Sequence, residues 1–174
     1  MSERSERITS NARISIAETT ITVATDTGEY VIPRGIVSLT AAHISNDPPL
    51  PEQLTNAIGE IVDHLDDAMR EVPDLLDATA FIVSGAAPAA IAAVEIGAVP
   101  TDALFELHRD AAEDVFRTLA TEARAERRRN PGLPGELVDH IVAGCCALVA
   151  IYRTLRLDTA SIETGSVETN RGDG

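Results

Sequence analysis

Residues 12–25 read Ala-Arg-Ile-Ser-Ile-Ala-Glu-Thr-Thr-Ile-Thr-Val-Ala-Thr. Ile14 and Ile16, then Ile21 and Val23, recur at a period of two among small and polar residues. β-branched side chains at that period mark strands with one face in a core. The phase changes near Glu18, so the stretch predicts two strand pieces or one broken strand. Asp26-Thr27-Gly28 is a turn, and Glu29 to Pro33 makes the next strand, so 19–33 reads as a hairpin.

Beyond this β-rich start the pattern becomes helical. Gly35 to Ile44 predicts a short helix, and Asn46-Asp47-Pro48-Pro49 a loop. From Pro51 to Val72, the residues Leu54, Ile58, Ile61, Leu65, Met69 and Val72 fall at three- and four-residue steps. That spacing predicts an amphipathic helix with Glu60, Asp63, Asp67 and Arg70 on its solvated side. Ala78 to Val83 is a short apolar strand. It leads into Ser84-Gly85-Ala86-Ala87 and an Ala-rich helix over about 88–96. A strand, a small-residue turn and a helix start form a candidate anion site, because the first N–H groups of a helix lack internal partners. Residues 102–128 read as helical, in one or two pieces. Asn130-Pro131-Gly132-Leu133-Pro134 breaks the chain. Gly135 to Leu155 predicts a long helix, apolar nearly all round from Ile141 to Tyr152 and therefore central. Ser161 to Glu163 is a possible closing strand. The order is that of an α/β domain with a mixed sheet flanked by helices, spanning 12–165, with flexible ends at 1–11 and 166–174.

Length and composition agree with one domain. The chain has 174 residues and 44% apolar residues, enough for a core and too many for a disordered chain. It contains no lysine; its 14 basic residues are all Arg, against 28 acids, for a net charge of −14. The absence of lysine excludes a P-loop lysine, a Schiff-base lysine and a lysine general base. The acid excess argues against nucleic acid and anionic membranes as partners. It fits a salt-adapted protein, although Arg bias alone would also follow from a GC-rich genome. No apolar stretch is long enough to span a membrane, and a cytoplasmic location is expected. The charge is uneven. Ile44 to Asp114 holds fifteen acids and two Arg, while Val115 to Arg156 holds four acids and seven Arg. The cluster Arg124, Arg127, Arg128 and Arg129 reads first as a solvated helix end. A contact with the acidic segment is the second reading. Cys145 and Cys146 are adjacent, which disfavours a disulfide and gives no metal-ligand spacing; both read as small buried residues.

Several stretches together resemble the C-terminal half of the exopolyphosphatase / guanosine pentaphosphate phosphatase (Ppx/GppA) family. They are Ile32-Pro-Arg-Gly-Ile-Val-Ser-Leu-Thr40, Asp47-Pro48-Pro49, and Val83-Ser84-Gly85-Ala86-Ala87 with Ile91-Ala92-Ala93. Glu126-Arg127-Arg128, Pro131 to Pro134, Asp139 to Gly144 and Gly165 follow in the same order. The resemblance implies one ribonuclease-H-like lobe of the actin-like superfamily. It also places the anion-binding positions at Thr19, Thr20, Ser84 and Gly85.

The departures from the family pattern are chemical. Its phosphate loop, Asp-x-Gly-Gly-Gly-Ser-Thr, falls by position on Ile14 to Thr20, where only the hydroxyls of Thr19 and Thr20 survive. The metal-side Asp is Ile14, and the last of the three glycines is Glu18, a negative charge where an anion would sit. The glycines are what let backbone N–H groups close on a phosphate. The Gly-Gly-Thr of the second loop has become Gly85-Ala86-Ala87. The family's first lobe, with its catalytic Glu, has no counterpart here. No catalytic or metal-binding residue is therefore assigned. His43 with Asp47, His64, His108 and His140 are scattered, and Ser84-Gly85 lacks a nucleophile elbow.

Three readings follow. The first is a non-catalytic lobe serving as a binding, regulatory or subunit module. The second is a phosphoanhydride phosphohydrolase completed by a separate first-lobe chain, in which case magnesium is expected; otherwise no cofactor is. The third is a weak anion binder. The face that meets the missing lobe is expected to be apolar and open, and so to support a homo-oligomer or a protein partner.

Overall fold

The computed structural model describes residues 10–165. The first nine and last nine residues, most of the two expected flexible ends, lie outside the described residues. The alternating start forms two strands, β1 (Asn11–Ile16) and β2 (Ile21–Ala24), with β3 (Glu29–Ile32) completing the meander. The break at Glu18 is a tight turn closed by a hydrogen bond from Ala17 N–H to the Thr20 carbonyl, 2.9 Å. There follow α1 (Ile36–His43), α2 (Pro51–Glu71), β4 (Ala80–Ser84) and α3 (Ala86–Ile96). The chain ends with β5 (Leu104–His108), α4 (Arg109–Thr121), α5 (Arg124–Arg127), α6 (Ile141–Thr154) and β6 (Thr159–Glu163).

The sheet order is β3-β2-β1-β4-β6-β5. β1, β4 and β6 are parallel, and β2, β3 and β5 complete the sheet antiparallel. Register puts Ile14 between Val23 and Val83, and Val83 beside Ile162. These buried residues share one face, together with Ala12, Ile16, Ile21, Ile32, Leu107 and Ala160. On the other face Arg13, Ser15, Glu106 and Glu163 are exposed, and Ile82 and Ser161 are half-buried. The helices therefore cover one side of the sheet. This follows from right-handed crossovers: β1 to β4 and β4 to β6 step in the same direction, so both connections pass over the same face.

α6 is the centre of the helical layer, with every residue from Ile141 to Tyr152 buried. It packs against α1, α2, α3 and α4. Tyr152 ties it to the sheet by donating its hydroxyl to the Leu107 carbonyl, 2.6 Å. Cys145 and Cys146 are free thiols within this helix. Burial pushes the Cys146 thiol up to about 12 and raises that of Cys145 further, so both stay protonated and act as packing residues.

α2 starts on Pro51, and the Gln53 side chain accepts a hydrogen bond from Leu50 N–H at 3.1 Å. Its buried stripe is Ala57, Ile61, Leu65, Ala68, with Val72 just beyond the helix end. Leu54, Ile58 and Met69, which the spacing put in the same stripe, are only partly buried. Ala57 and Ala68 flank Ile61 and Leu65 on this stripe, which packs against α6.

The structure corrects three expectations. Residues 104–108 are a strand, where the sequence suggested helix. Leu107 faces the core and Phe105 pairs with Ile162, but the strand has no β-branched residue to announce it. The long helix begins at Ile141; Gly135–Leu137 is a separate 3-10 turn. The arginine cluster is not simply a solvated helix end. Arg127 is buried, donating to the carbonyls of Leu119, Glu122 and Val138, and it lies 3.6 Å from Asp47. Arg124 donates its backbone N–H to Asp47 and pairs with Asp139. Asp47, from the acidic segment, thus meets the Arg127 guanidinium and the Arg124 backbone, while the three carbonyls satisfy the donors that burial of Arg127 takes from water.

Candidate functional site

The four positions implied as an anion site sit at the carboxyl ends of β1 and β4. Ligands bind at these strand ends in open α/β sheets. The parallel pairing sets Ser15 beside Ser84, so the turn carrying Thr19 and Thr20 and the turn carrying Gly85 leave the same edge of the sheet. Gly85 has φ +128°. A Cβ there would lie 2.1 Å from the Ile16 carbonyl oxygen, so only glycine fits between the two turns. Thr19 is exposed, and Thr20, Ser84 and Gly85 are half-buried.

The β1–β2 turn is already engaged. Its Ala17 and Glu18 carbonyls accept hydrogen bonds from Ile36 N–H (3.0 Å) and Val37 N–H (2.9 Å), two of the otherwise free donors at the start of α1. Gly35 makes this docking possible, since a Cβ there would meet the Ala17 oxygen at 2.3 Å. Ser38 Oγ accepts from Gly35 N–H at 2.9 Å and completes the helix start. The α1 N-terminus thus grips backbone carbonyls and holds no open anion site. Ile14 and Ile16, the residues leading into this turn, point into the core. Glu18 is exposed at the tip. At the start of α3, Ala86 and Ala87 carry N–H groups, while Pro88 removes the next donor.

This end of the sheet presents Ala17, Glu18, Thr19 and Ala86 to solvent, which is a small and polar surface. Larger exposed apolar residues include Val99, Leu76 and Leu104.

A polar cluster not visible in the sequence lies between α1 and α2. Arg34 Nε reaches both Glu60 carboxylate oxygens at 3.1 Å, and His43 Nε2 lies 3.2 Å from Glu60 Oε2. His43 therefore meets Glu60 and not Asp47, and Glu60 is not simply on a solvated face. Burial works to raise the Glu60 pKa, but the hydrogen bonds from Arg34 and His43 outweigh it and leave it lowered. A lowered carboxylate pKa stabilises the fold above the unfolded value, and that contribution is lost as pH falls through the folded value. His140 Nδ1 lies 3.3 Å from Thr40 Oγ1 and is satisfied at the start of α6. Among the described residues no group of three or more His, Cys, Asp or Glu side chains could hold a metal ion. No helix among them is long and apolar enough to cross a membrane.

No protein-family model matches the chain, and no curated protein does. Solved structures do. An exopolyphosphatase-like protein superposes with a TM-score of 0.83 at 18% identity, over 88% of this chain and 55% of that one. The Aquifex aeolicus PPX-GPPA enzyme gives 0.79 at 16% identity, over 88% and 53%. An exopolyphosphatase from Cytophaga hutchinsonii gives 0.76 at 13%, over 89% and 53%. The chain spans about half the length of each. A six-stranded mixed sheet in this order, matched across nearly the whole chain, gives this protein the fold of about half of an exopolyphosphatase-like or PPX-GPPA chain.

Proposed function

We propose that this chain is a non-catalytic Ppx/GppA-type lobe that works as a binding, regulatory or subunit module. One observation supports this above the others: the turn where a phosphate loop would open is docked through its own carbonyls onto α1. The positions where the family has its Asp and first Gly are filled by the core residues Ile14 and Ile16. Thr19, Thr20, Ser84 and Gly85 keep the place of an anion site, but the turn between them carries Glu18 and no glycine cradle.

The competing reading is a phosphoanhydride phosphohydrolase that borrows a first lobe from another chain. It is favoured by one fact, that the chain spans about half of the structures it resembles. A partner chain, or a second copy, meeting the carboxyl ends of β1 and β4 is consistent with both readings.

The test is release of phosphate from polyphosphate by the purified chain with magnesium. It is run in dilute and in molar salt, because the charge of −14 fits a salt-adapted protein. No release above the buffer rate is expected in either. Turnover that tracks the folded protein would overturn the non-catalytic reading.

A further inference from the structure

At the opposite end of the sheet from the two turns lies a cleft of about 770 Å³, between the C-terminal ends of α2 and α6 and the starts of β4 and β6. That volume falls within the usual range for small-ligand sites, about 300–1,000 Å³. Met69, Leu76 and Phe81 supply apolar wall, and Asp66, Arg156 and Asp158 supply charge. None of these three charged side chains forms an ion pair among the described residues. All three are solvent-exposed, so the cleft offers a hydrated guanidinium and two hydrated carboxylates that no ion pair among the described residues holds in place.

Arg156 carries a second mark. It stands just past the end of α6 at φ 54°, in the left-handed region where helices favour glycine. The next N–H, that of Leu157, closes back on the Tyr152 carbonyl at 2.9 Å, so the position is a Schellman turn. A glycine would adopt this backbone without the Cβ conflict. An arginine held there at conformational cost, lining a cleft with no ion-pair partner among the described residues, has its side chain to contribute.

We propose that this cleft binds a small zwitterion with an apolar side chain, of the α-amino acid class. Its carboxylate meets Arg156, its ammonium meets Asp66 or Asp158, and its side chain lies on Met69, Leu76 and Phe81. The two charge signs favour a zwitterion over a simple anion, because a carboxylate alone would face two aspartates, whereas the ammonium of a zwitterion neutralises one of them and the other stays hydrated. The proposal is independent of the reading of the β1–β2 turn, which lies at the other end of the strands.

The experiment is calorimetric titration of the full chain with L-leucine, N-acetyl-L-leucine and L-leucinamide. Leucine is expected to bind saturably. The acetylated compound, which has lost its ammonium, and the amide, which has lost its carboxylate, should each bind at least about tenfold more weakly. Arg156→Gly should lose about tenfold in leucine affinity while melting about 2–4 °C higher, which separates lost binding from lost fold. Asp66→Asn, on the exposed side of α2, should weaken leucine and leave N-acetyl-leucine unchanged if Asp66 is the ammonium partner; Asp158→Asn shows this if Asp158 is. No saturable binding of leucine up to about 10 mM would overturn the proposal. So would leucine affinity unchanged in Arg156→Gly, or N-acetyl-leucine binding as well as leucine.

Discussion

Gly85→Val is expected to unfold the domain. The glycine backbone, φ +128° and ψ 163°, belongs to a region that side-chain-bearing residues essentially never occupy. The steric conflict adds to this strain. A Cβ would sit 2.1 Å from the Ile16 carbonyl oxygen, a backbone atom with no side-chain freedom to give way. Relief requires β4 to shift along β1 or α3 to lift from the sheet. Either disrupts the parallel pair that holds Ile14 against Val83. The combined cost is about 4 kcal/mol or more, a large part of the stability of a domain this size. Gly85→Ala should already lose most of it, because the conflict is at Cβ. Gly59 is the control: it lies within α2 with open space beside it, and Gly59→Ala should stabilise by about 0.5–1 kcal/mol. Urea unfolding followed by circular dichroism reads all three. Gly85→Val with an unchanged midpoint would mean that the two turns do not meet as described.

Leu65→Asp has a comparable expected effect for a different reason. Leu65 is fully buried on the inner stripe of α2, against the helical layer centred on α6. A carboxylate there has no cation or donor within the apolar core and must either ionise at large cost or take up a proton. Loss of the folded state at neutral pH is expected. Leu65→Ala keeps the site apolar and should cost about 2–5 kcal/mol, the range for emptying a core leucine position. A Leu65→Asp protein with a wild-type melting curve would place the helix face elsewhere. The pair also separates charge burial from lost volume.

Local pattern and long-range contact divide what the sequence reveals. β1, β2 and β3 were legible because alternation and a Gly-containing turn are written within a few residues, and their register follows from which face is buried. α2 was legible as a helix, but its inner face was displaced toward Ala57 and Ala68. Which face goes inward depends on how closely α6 approaches, and no local spacing carries that. β5 was missed because its strand character comes from pairing with β6, more than fifty residues later. Leu104-Phe-Glu-Leu-His108 on its own fits a helix as well.

The same division holds at the candidate site. Thr19, Thr20, Ser84 and Gly85 stand out only through the resemblance to a family pattern, and no local spacing of their own marks them. What the turn does instead was not visible, since Ala17 and Glu18 accept from the start of α1 through backbone atoms. Arg127 and the Arg34–Glu60–His43 cluster were likewise hidden. Each joins residues from separate elements, and in a chain with 28 acids no single carboxylate identifies its partner.

The central claim is that this lobe keeps a phosphatase frame without its phosphate cradle. Titration of the folded chain with tripolyphosphate, with and without magnesium and followed by calorimetry, tests it most directly. The account predicts no saturable binding at the β1–β2 and β4–α3 turns. Saturable binding that is weakened by Thr19→Val or Ser84→Ala, and strengthened by Glu18→Gly, would contradict it, because the turns would then hold phosphate despite their lost glycines.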